Sequence, residues 1–582
     1  MPSLETFPNL VALFFARAAG QGDKPFLWAK RDGRWQALSW TEVARRVRSL
    51  AVAIRALGLN PGDRVVLVSE NRPEWCIVDL AIMAAGCVSV PTYTTNTERD
   101  HLHVLENSGA RAAFVSTQKL ARTLIPAALQ SSACRTVIGF EPLRIAQAGE
   151  TEFHTLDALI AAHPPEPMAA DFAREDLACI IYTSGTGGAP RGVRQHHGAL
   201  LSNVEGAVEI IASDFGWREE IFLSFLPASH AYEHTGGQFL PIALGAQIYY
   251  AEGLEKLASN IEEVGPTIMI VVPRLFEVLR QRILKMVDRQ GRAAQYLMRL
   301  ALAVGTRRYE GKPRATDRIA ERLLDLTLRP KIAQRFGGRM KAMVSGGAPL
   351  NPEIGIFFQS LGLPLLQGYG QTEAGPVVSC NRPSVGLRMD TVGPPLKGVE
   401  LRIAGDGEIL VRGELVMHGY WQNPEESARV LRDGWLYTGD IGHLDDKGRL
   451  VITDRKKDLI VNDKGDNVSP QRVEGMLTLE PEILQAMVAG DRRPHLVGLI
   501  VPDPEWVREN GLSGEALRHA LATAVDRVNH GLSVIEKVRR FIIADEPFTI
   551  ENGQLTPSLK IRRHMIRGVY GERLDALYKR GD

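Results

Sequence analysis

Short apolar runs alternate with helix-like segments through about the first two thirds of this chain of 582 residues. The runs are four to six residues long and rich in β-branched side chains, as in 64–69 (RVVLVS), and this is typical of buried strands. Between two of them, residues 73–85 have the length of a helix. Strands that alternate with helices predict an α/β fold with parallel sheets. The other runs are 87–90, 111–116, 178–183, 267–272 and 340–345.

The pattern changes after about residue 384. Glycine turns such as 406–407 (DG) and 447–448 (KG) separate short strands, which predicts a small β-barrel-like antiparallel region. A compact α+β pattern follows. We place the boundary in the charged run 454–458 (DRKKD), between an N-terminal domain (1–456, β-rich from about 385) and a small α+β C-terminal domain (457–582). The predicted strands are 408–411, 415–417, 450–453, 459–461, 483–488 and 496–501, and the predicted helices are 473–479 and 515–529.

Composition excludes several classes of protein. With 45% hydrophobic and 24% charged residues, the chain is globular and not disordered. Its 69 basic and 68 acidic residues give a net charge of +1, which argues against nucleic-acid binding. Five scattered cysteines without a CxxC pair indicate a reducing compartment. The first residues do not resemble a signal peptide, and no early apolar run reaches the roughly 20 residues of a spanning helix, so we expect a cytoplasmic protein.

The charges are not evenly distributed. Residues 274–341 contain 18 Lys or Arg and 6 Asp or Glu, a local charge of +12, which leaves −11 for the rest of the chain. Within this segment, 292–304 and 318–328 have apolar residues at helical spacing beside basic ones. Such helices can bind the anionic inner face of a membrane, or they can be solvated helices with their apolar side in the core. The sequence leaves both interpretations open.

A stretch rich in glycine and hydroxyl side chains follows a predicted strand at 181–193 (IYTSGTGGAPRGV). Small residues let the backbone approach a ligand closely. Hydroxyls, free N–H groups and Arg191 can together surround phosphate oxygens. The spacing differs from that of a Walker A loop. The alternative interpretation is a glycine-rich turn without a ligand.

Four further segments contain side chains suited to nucleotide chemistry. Each alone has a simple structural explanation, as a turn, a helix cap or a solvated lysine. Together with 181–193, in this order and over almost the whole chain, they resemble the adenylate-forming superfamily. Within it, 226–233 (LPASHAYE), 345–350 (SGGAPL) and the long segment 275–341 are similar to those of long-chain fatty-acid–CoA ligases. The four segments are 367–376 (QGYGQTEAGP), 434–440 (GWLYTGD), 454–458 (DRKKD) and 555–563 (LTPSLKIRR).

The resemblance implies a two-step reaction. ATP and a fatty acid give an acyl-adenylate and pyrophosphate, and CoA then gives the thioester and AMP. Positive charge is needed because two anions must meet. The implied ATP and AMP site consists of a phosphate loop, a border of the adenine and acyl pockets, and an adenine-stacking turn. These are, in that order, Thr183, Ser184, Gly185, Thr186, Gly187, Gly188 and Arg191; then Gly347, Ala348 and Pro349; then Gly368, Tyr369, Gly370 and Gln371.

The remaining roles concern catalysis and movement of the C-terminal domain. Thr372 would contact the α-phosphate, and Glu373 with Thr186 would hold Mg²⁺. Lys560 would bridge the acid and the α-phosphate as the adenylation lysine. The resemblance further assigns Asp440 and Arg455 to the ribose hydroxyls, His230 and Tyr232 to the acyl channel, Lys457 to the hinge, and Gly465 to the CoA tunnel.

Two positions depart from the family pattern: Gly187 replaces a threonine and Arg191 replaces a lysine. The positive charge is kept but its geometry is not. Two other functions therefore stay open. One is an acyl-AMP ligase that loads a carrier-protein thiol, and the other is a non-catalytic homologue that binds lipid or nucleotide. A homodimer is also left open.

Overall fold

The computed structural model describes residues 7–145, 149–167, 171–183, 190–556 and 561–579. Two large sheets, each flanked by helices, account for the first two thirds of the chain, and a small α+β unit follows at the end. This confirms the predicted fold class. One hydrophobic core contains residues of both large sheets, for example Leu67 and Phe222, so the two sheets share a buried boundary.

The larger sheet has eight strands. Its six inner strands are parallel, and an antiparallel strand is added at each edge. Parallel pairing confirms the prediction, because helices connect successive strands on the faces. In spatial order the strands are Val377–Cys380, Leu365–Gly370, Ala342–Ser345, Ile268–Val271, Ile221–Ser224, Gln247–Tyr250, Pro25–Arg31 and Arg34–Ser39.

The second sheet has seven strands and the same organisation at one edge. Six strands are parallel, and the last is paired antiparallel with its predecessor in the sequence. Each of the two sheets thus has an edge hairpin that contains a predicted nucleotide motif. The motif is 181–193 in the seven-stranded sheet and 367–376 in the eight-stranded sheet. In spatial order the strands are Glu152–Thr155, Thr136–Gly139, Ala112–Val115, Arg64–Val68, Val88–Thr92, Leu177–Thr183 and Arg191–His196.

The region after residue 384 forms the expected antiparallel sheet, with two differences from the prediction. Residues 415–417 are not a strand. Their backbone instead contacts a loop, since the Met417 amide donates to the Glu373 carbonyl at 3.0 Å. The motif 434–440, whose sequence predicts an aromatic strand that ends at Asp440, instead belongs to a strand that continues to Leu444, because Asp440 pairs in register with Arg455 on the next strand. The strands are Glu400–Ile403, Glu408–Arg412, Leu431–Arg432, Trp435–Leu444 and Leu450–Arg455.

The C-terminal unit begins just beyond the Leu450–Arg455 strand, close to the sequence-predicted boundary. Its three-stranded sheet and long helix share one core, in which Ile500, Leu521 and Val528 pack together. The predicted strands and helices of this region are present, with ends shifted by up to three residues. The elements are Ile460–Val461, Asn467–Val468, Pro470–Leu477, Ile483–Ala489, Leu496–Pro502, Pro504–Asn510, Gly514–His530, Val538–Ile543 and Arg563–Ala576.

Helices of the first two thirds cover both large sheets. In the part of the chain that the structure describes, none is long and apolar enough to cross a membrane. The α-helices are Leu10–Gln21, Trp40–Ala56, Pro73–Ala84, Glu98–Ser108, Gln118–Gln130, Leu156–Ala162, His197–Ile210, Ala231–Glu233, Leu240–Leu244, Leu257–Val264, Pro273–Arg289, Arg292–Tyr309, Asp317–Arg335, Pro352–Ser360 and, in the antiparallel region, Pro424–Val430. Short π-helices are Ile211–Phe215 and His234–Phe239, and 3₁₀ turns are Thr372–Ala374 and Pro383–Val385.

A buried polar cluster joins the two large sheets. Asp79 accepts hydrogen bonds from Ser89 at 2.6 Å, and its other oxygen lies 2.8 Å from His234 Nε2. The adjacent Glu233 carboxyl accepts a hydrogen bond from Ser224 at 2.5 Å, and its second oxygen has no partner among the described residues. Burial raises the pKa of Glu233 from 4.5 to about 8, so this carboxyl is protonated at neutral pH.

Replacing Glu233 by Gln should therefore change how stability depends on pH. A raised pKa in the folded state stabilises the protein fully below pH 4.5, and this contribution is lost as the pH rises through about 8. The neutral Gln variant lacks this loss. As the pH rises from 4.5 to about 8, we expect the thermal midpoint of the Gln variant to rise relative to that of the wild type. The corresponding change in unfolding free energy is on the order of a few kcal/mol.

Thermal denaturation from acid to mildly basic pH measures the effect. Glu220→Gln is not a suitable control, because Glu220 pairs with Lys341. Glu425, 82% exposed, serves instead, because its pair with Arg429 lies at the surface and contributes little, so its Gln variant should follow the wild-type profile. Parallel profiles for Glu233→Gln and the wild type would show that Glu233 is ionised in the folded protein.

Candidate functional site

Both edge hairpins face a cleft of about 3020 Å³ that also borders the antiparallel region and the C-terminal unit. Residues from all five predicted nucleotide motifs meet here, although they lie up to 380 residues apart in the sequence. The sequence-predicted residues that line the cleft are Thr183, Arg191, His230, Tyr232, Gly347, Ala348, Pro349, Gly368, Tyr369, Gly370, Gln371, Thr372, Glu373, Asp440, Arg455 and Lys457.

One described residue of the predicted site is not brought to this cleft. Gly465 is not among the described residues that line it. It occupies a turn, with φ of +87°, between Ile460–Val461 and Asn467–Val468, and this backbone conformation explains the glycine. The middle of the predicted phosphate loop and the predicted adenylation lysine lie outside the described residues; these are Ser184, Gly185, Thr186, Gly187, Gly188 and Lys560.

Arg191 lies where the phosphate-loop hairpin re-enters the sheet, opposite Thr183 in register. Its guanidinium is over the ring of Tyr420, with 4.6 Å from Cζ to the ring centroid, and it forms an ion pair with Glu426. A guanidinium held by an aromatic face and a carboxylate is pre-oriented, so the arginine at this position has supports suited to its planar shape. Glu426 would compete with an incoming phosphate for the same cation.

Tyr420 also contacts the second hairpin. Its hydroxyl donates a hydrogen bond to Glu373 Oε1 at 2.8 Å, and burial raises the pKa of this hydroxyl well above its ordinary value. Tyr420 thus contacts two predicted site residues. Arg191, predicted to bind phosphate, lies over its ring, and Glu373, predicted to bind Mg²⁺, accepts a hydrogen bond from its hydroxyl. Sequence reasoning missed this residue. The available signal was the tight aromatic and acidic segment 419–427 (GYWQNPEES), which follows the strand predicted wrongly at 415–417.

The second hairpin requires glycine where it turns into the cleft. A Cβ on Gly370 would lie 1.9 Å from the carbonyl oxygen of Pro376, so another residue cannot be accommodated without moving the backbone. The turn is closed by the Gln371 amide, which donates to that same carbonyl at 2.9 Å. This close packing projects Thr372 and Glu373 from a short 3₁₀ turn at the cleft surface.

Tyr369 connects this hairpin with the antiparallel region. Its hydroxyl donates to Asp440 Oδ2 at 2.6 Å, and burial together with this carboxylate raises the pKa of the Tyr369 hydroxyl well above its ordinary value. Arg455 Nε lies 3.5 Å from the other oxygen of Asp440. The cleft therefore contains an aromatic ring beside one hydrogen-bond acceptor and one forked donor, the arrangement predicted for an adenosine.

The wall next to the predicted adenine border is aromatic. Tyr232 is buried, and its hydroxyl donates to the Val344 carbonyl at 2.8 Å. A Cβ on Gly346 would lie 2.7 Å from the Tyr232 ring, so glycine is needed there to admit the ring. His230 caps the short Ala231–Glu233 helix by accepting a hydrogen bond from the Tyr232 amide at 3.2 Å. Both side chains line the cleft together with Phe225, Leu226 and Pro227, an apolar segment where the resemblance predicts the acyl channel.

Lys457 lies at the junction of the two units of the chain. Partial desolvation by the cleft walls and the nearby positive charge of Arg455 lower the pKa of its ammonium group. The neighbouring Lys456 pairs instead with Asp406 at 2.7 Å and Glu408 at 3.0 Å. Both lysines line the cleft, and Lys456 also anchors the junction to the antiparallel sheet.

The protein groups suit a metal ion only if a ligand supplies most of its coordination. No cluster of three or more His, Cys, Asp or Glu side chains suited to a metal occurs among the described residues. Glu373 Oε1 accepts from Tyr420, and the carboxylate borders the cleft. One carboxylate beside a phosphate site fits Mg²⁺, which keeps several waters and binds substrate phosphates.

Comparisons with solved structures agree with this architecture. The chain matches the A domain of a carboxylic acid reductase from Segniliparus rugosus, in complex with AMP and a co-purified carboxylic acid, with a TM-score of 0.80, 25% identity and coverage of 98% of this chain and 94% of that one. It also matches the anthranilate CoA ligase AuaEII in complex with anthranoyl-AMP (TM-score 0.73, 20% identity, 98% and 99% covered). The second likeness shows the fold alone.

Sequence comparisons define the family. FadD15 of Mycobacterium tuberculosis, a long-chain-fatty-acid–CoA ligase, is 32% identical over 98% of this chain and 97% of its own length. Long-chain-fatty-acid–CoA ligase 1 of Homo sapiens is 28% identical over 94% of this chain and 83% of its own. The profile described as AMP-binding enzyme matches residues 14–421, and that of the AMP-binding enzyme C-terminal domain matches residues 457–582. The chain belongs to the AMP-binding enzyme family.

Proposed function

We propose that the protein is an AMP-forming long-chain fatty-acid–CoA ligase. The observation that carries this proposal is that four features line one cleft. They are a cation suited to bind phosphate, a carboxylate, a pocket suited to bind adenosine, and a wall of apolar and aromatic residues. Relatives named as long-chain-fatty-acid–CoA ligases or long-chain acyl-CoA synthetases, similar over nearly the whole chain, support the choice of acid and acceptor.

In the first step, a carboxylate oxygen of the fatty acid forms a bond to the α-phosphorus of ATP, and pyrophosphate leaves. Arg191 and the hydroxyls of the phosphate loop would hold the β- and γ-phosphates. Asp440 and Arg455 would fix the ribose, and Tyr369 would stack on the adenine. Lys560 would balance the charge that develops between the two anions. Tyr232 and His230 would form the wall that excludes water from the acyl chain.

Glu373 and Thr186 would hold Mg²⁺ together with the phosphates. When bound, the ion neutralises phosphate charge. The protein's own contribution is the orientation of the Glu373 carboxylate, which the hydrogen bond from Tyr420 maintains.

In the second step, the CoA thiolate forms a bond to the acyl carbonyl carbon, and AMP leaves. The C-terminal unit would rotate about Lys457, withdraw Lys560 and bring the loop at Gly465 to the cleft. In this structure Gly465 lies away from the cleft lining, as expected of a loop that enters only for the second step. The reaction itself requires neither contact of the basic segment 274–341 with an anionic membrane surface nor a homodimer.

An acyl-chain panel tests the proposed reaction. Purified protein with MgATP, CoA and acids from medium to long chain should release pyrophosphate and form acyl-CoA, with long chains preferred. Pyrophosphate release without thioester would favour a ligase that loads a carrier-protein thiol. Absence of pyrophosphate release with every acid would favour a non-catalytic homologue.

Lys560→Ala should separate the two steps. The variant loses the mobile charge between acid and α-phosphate, so we expect adenylate formation to fall at least about 100-fold. Thioester formation from a synthetic acyl-adenylate and CoA should be retained, because Lys560 is withdrawn in that step. Lys119→Ala, an exposed lysine outside the cleft, is the matched control. Equal loss of both steps would contradict the division of roles.

Tyr420→Phe should impair the first step selectively. The phenylalanine ring can still stack below Arg191, but Glu373 loses the hydrogen bond of 2.8 Å. A hydrogen bond to a charged group contributes enough to predict a decrease of about tenfold in adenylate formation, with a higher Mg²⁺ requirement. Mg²⁺ titration of pyrophosphate release measures this. Tyr437→Phe, in the same strand as Asp440, is the control. An unchanged Mg²⁺ requirement would show that Tyr420 does not position Glu373.

A further inference from the structure

The Asp317–Arg335 helix has apolar side chains on two opposite faces. One face is formed by Leu324, Leu328 and Ile332, spaced four residues apart and buried in the core. Burial of this set accounts for the attachment of the helix to the rest of the protein. A helix attached in this way normally exposes polar residues on its opposite face.

The opposite face is apolar as well. Ile319, Leu323 and Leu326 follow one another at spacings of four and three residues, which places them in one stripe. Ile319 lies nine residues before the buried Leu328, so the two point about 180° apart. The three side chains are 75%, 43% and 75% exposed. Ile319 and Leu326 are the most exposed large apolar side chains in the part of the chain that the structure describes. We name these three residues the outer stripe.

Positive charge surrounds the outer stripe. The helix belongs to segment 274–341, whose charge is +12. Arg318 and Arg322 lie one turn apart beside the stripe, both exposed, and neither has an ion-pair partner among the described residues. Other cations of the segment are neutralised, as in the pairs of Arg307 with Asp317 and of Arg308 with Glu321. Unpaired arginines next to exposed apolar residues form a surface suited to an anionic partner.

The partner must satisfy both properties at once. A second copy of the chain would cover the stripe but would bring two segments of +12 together, and their repulsion opposes such a dimer. A bilayer with anionic headgroups accepts apolar side chains at its acyl boundary and basic ones at its surface. We propose that the outer stripe, with Arg318 and Arg322, docks the protein on an anionic membrane surface.

The location of this face relative to the cleft fits the proposal. The Asp317–Arg335 helix packs against the Leu257–Val264 helix, whose first residue lines the cleft. Leu254, just before that helix, also lines the cleft and is exposed. A membrane-dissolved acid would therefore enter close to the docked face. Only the entry of an acid from the membrane rests on the proposed function, since docking on the membrane itself requires no catalysis.

Vesicle flotation of the full chain tests the proposal. Vesicles of phosphatidylcholine with about one third phosphatidylglycerol should carry the wild-type protein, and those of phosphatidylcholine alone should carry much less. High salt should weaken binding to the anionic vesicles. The double variant Ile319→Ser with Leu326→Ser should lower partitioning about tenfold or more. Its control is Val534→Ser with Val569→Ser, which removes two exposed apolar side chains from the C-terminal unit and should change partitioning less than about twofold.

A charge variant gives an independent measurement. Arg318→Ser with Arg322→Ser should reduce binding to anionic vesicles, whereas Arg492→Ser, a highly exposed arginine elsewhere, should not. Wild-type protein that fails to float with anionic vesicles, or a stripe variant that floats as well as the wild type, overturns the proposal. A wild-type dimer that the stripe variant converts to monomer in sedimentation would assign the stripe to a second copy instead.

Pyrophosphate release with a water-soluble medium-chain acid separates this inference from the proposed function. All variants should retain wild-type turnover in this assay, because the substituted side chains lie outside the cleft lining. Flotation without turnover would remove the proposed function but keep the docking surface. Turnover without flotation would remove the docking surface but keep the proposed function.

Discussion

The geometry of the cleft depends on one buried amide. Asn203, on the helix that follows the phosphate-loop hairpin, donates to the Val377 carbonyl at 2.8 Å and accepts from the Val377 amide at 3.0 Å. It also donates to the Ala374 carbonyl at 3.3 Å. These bonds join the helix that follows the edge hairpin of one large sheet to the edge hairpin of the other. Since an unsatisfied buried amide is costly, the two hairpins have one favoured separation. Arg191 and Glu373 are thereby held on either side of Tyr420.

Sheet edges are well suited to positioning the residues of the cleft. The inner parallel strands use their backbone groups in the sheets, whereas an edge hairpin leaves groups free for loops and ligands. The segment that follows the Glu408–Arg412 strand exploits this. Its Trp421 amide donates to the Gly192 carbonyl at 2.7 Å, and its His418 amide donates to the Arg194 carbonyl at 3.0 Å. This pairing with the phosphate-loop hairpin explains why residues 415–417 are not a regular strand, despite their apolar pattern.

Sequence patterns predicted those elements whose environment is set locally. Fully buried runs such as Arg64–Val68 are recognisable because both faces of the strand are covered. The role of Tyr420 could not be assigned even though its segment is aromatic and acidic, since that role arises from two partners, 47 and 229 residues away, that only the tertiary fold brings together. The Asp317–Arg335 helix shows a different limit. Its sequence contains two apolar sets at helical spacing, and periodicity cannot indicate which set faces the core and which faces outward.

The contacts that attach the C-terminal unit support the proposed rotation. Asn351 donates to the Gly475 carbonyl at 3.1 Å, and Lys285 pairs with Glu505 at 2.6 Å with both side chains substantially exposed. Water can replace such polar contacts at small cost, so they favour one arrangement without preventing another. By contrast, Glu474 and Arg563 form an ion pair buried within the unit itself. This pair fastens the Arg563–Ala576 helix to the Pro470–Leu477 helix, so the two helices would move as one body.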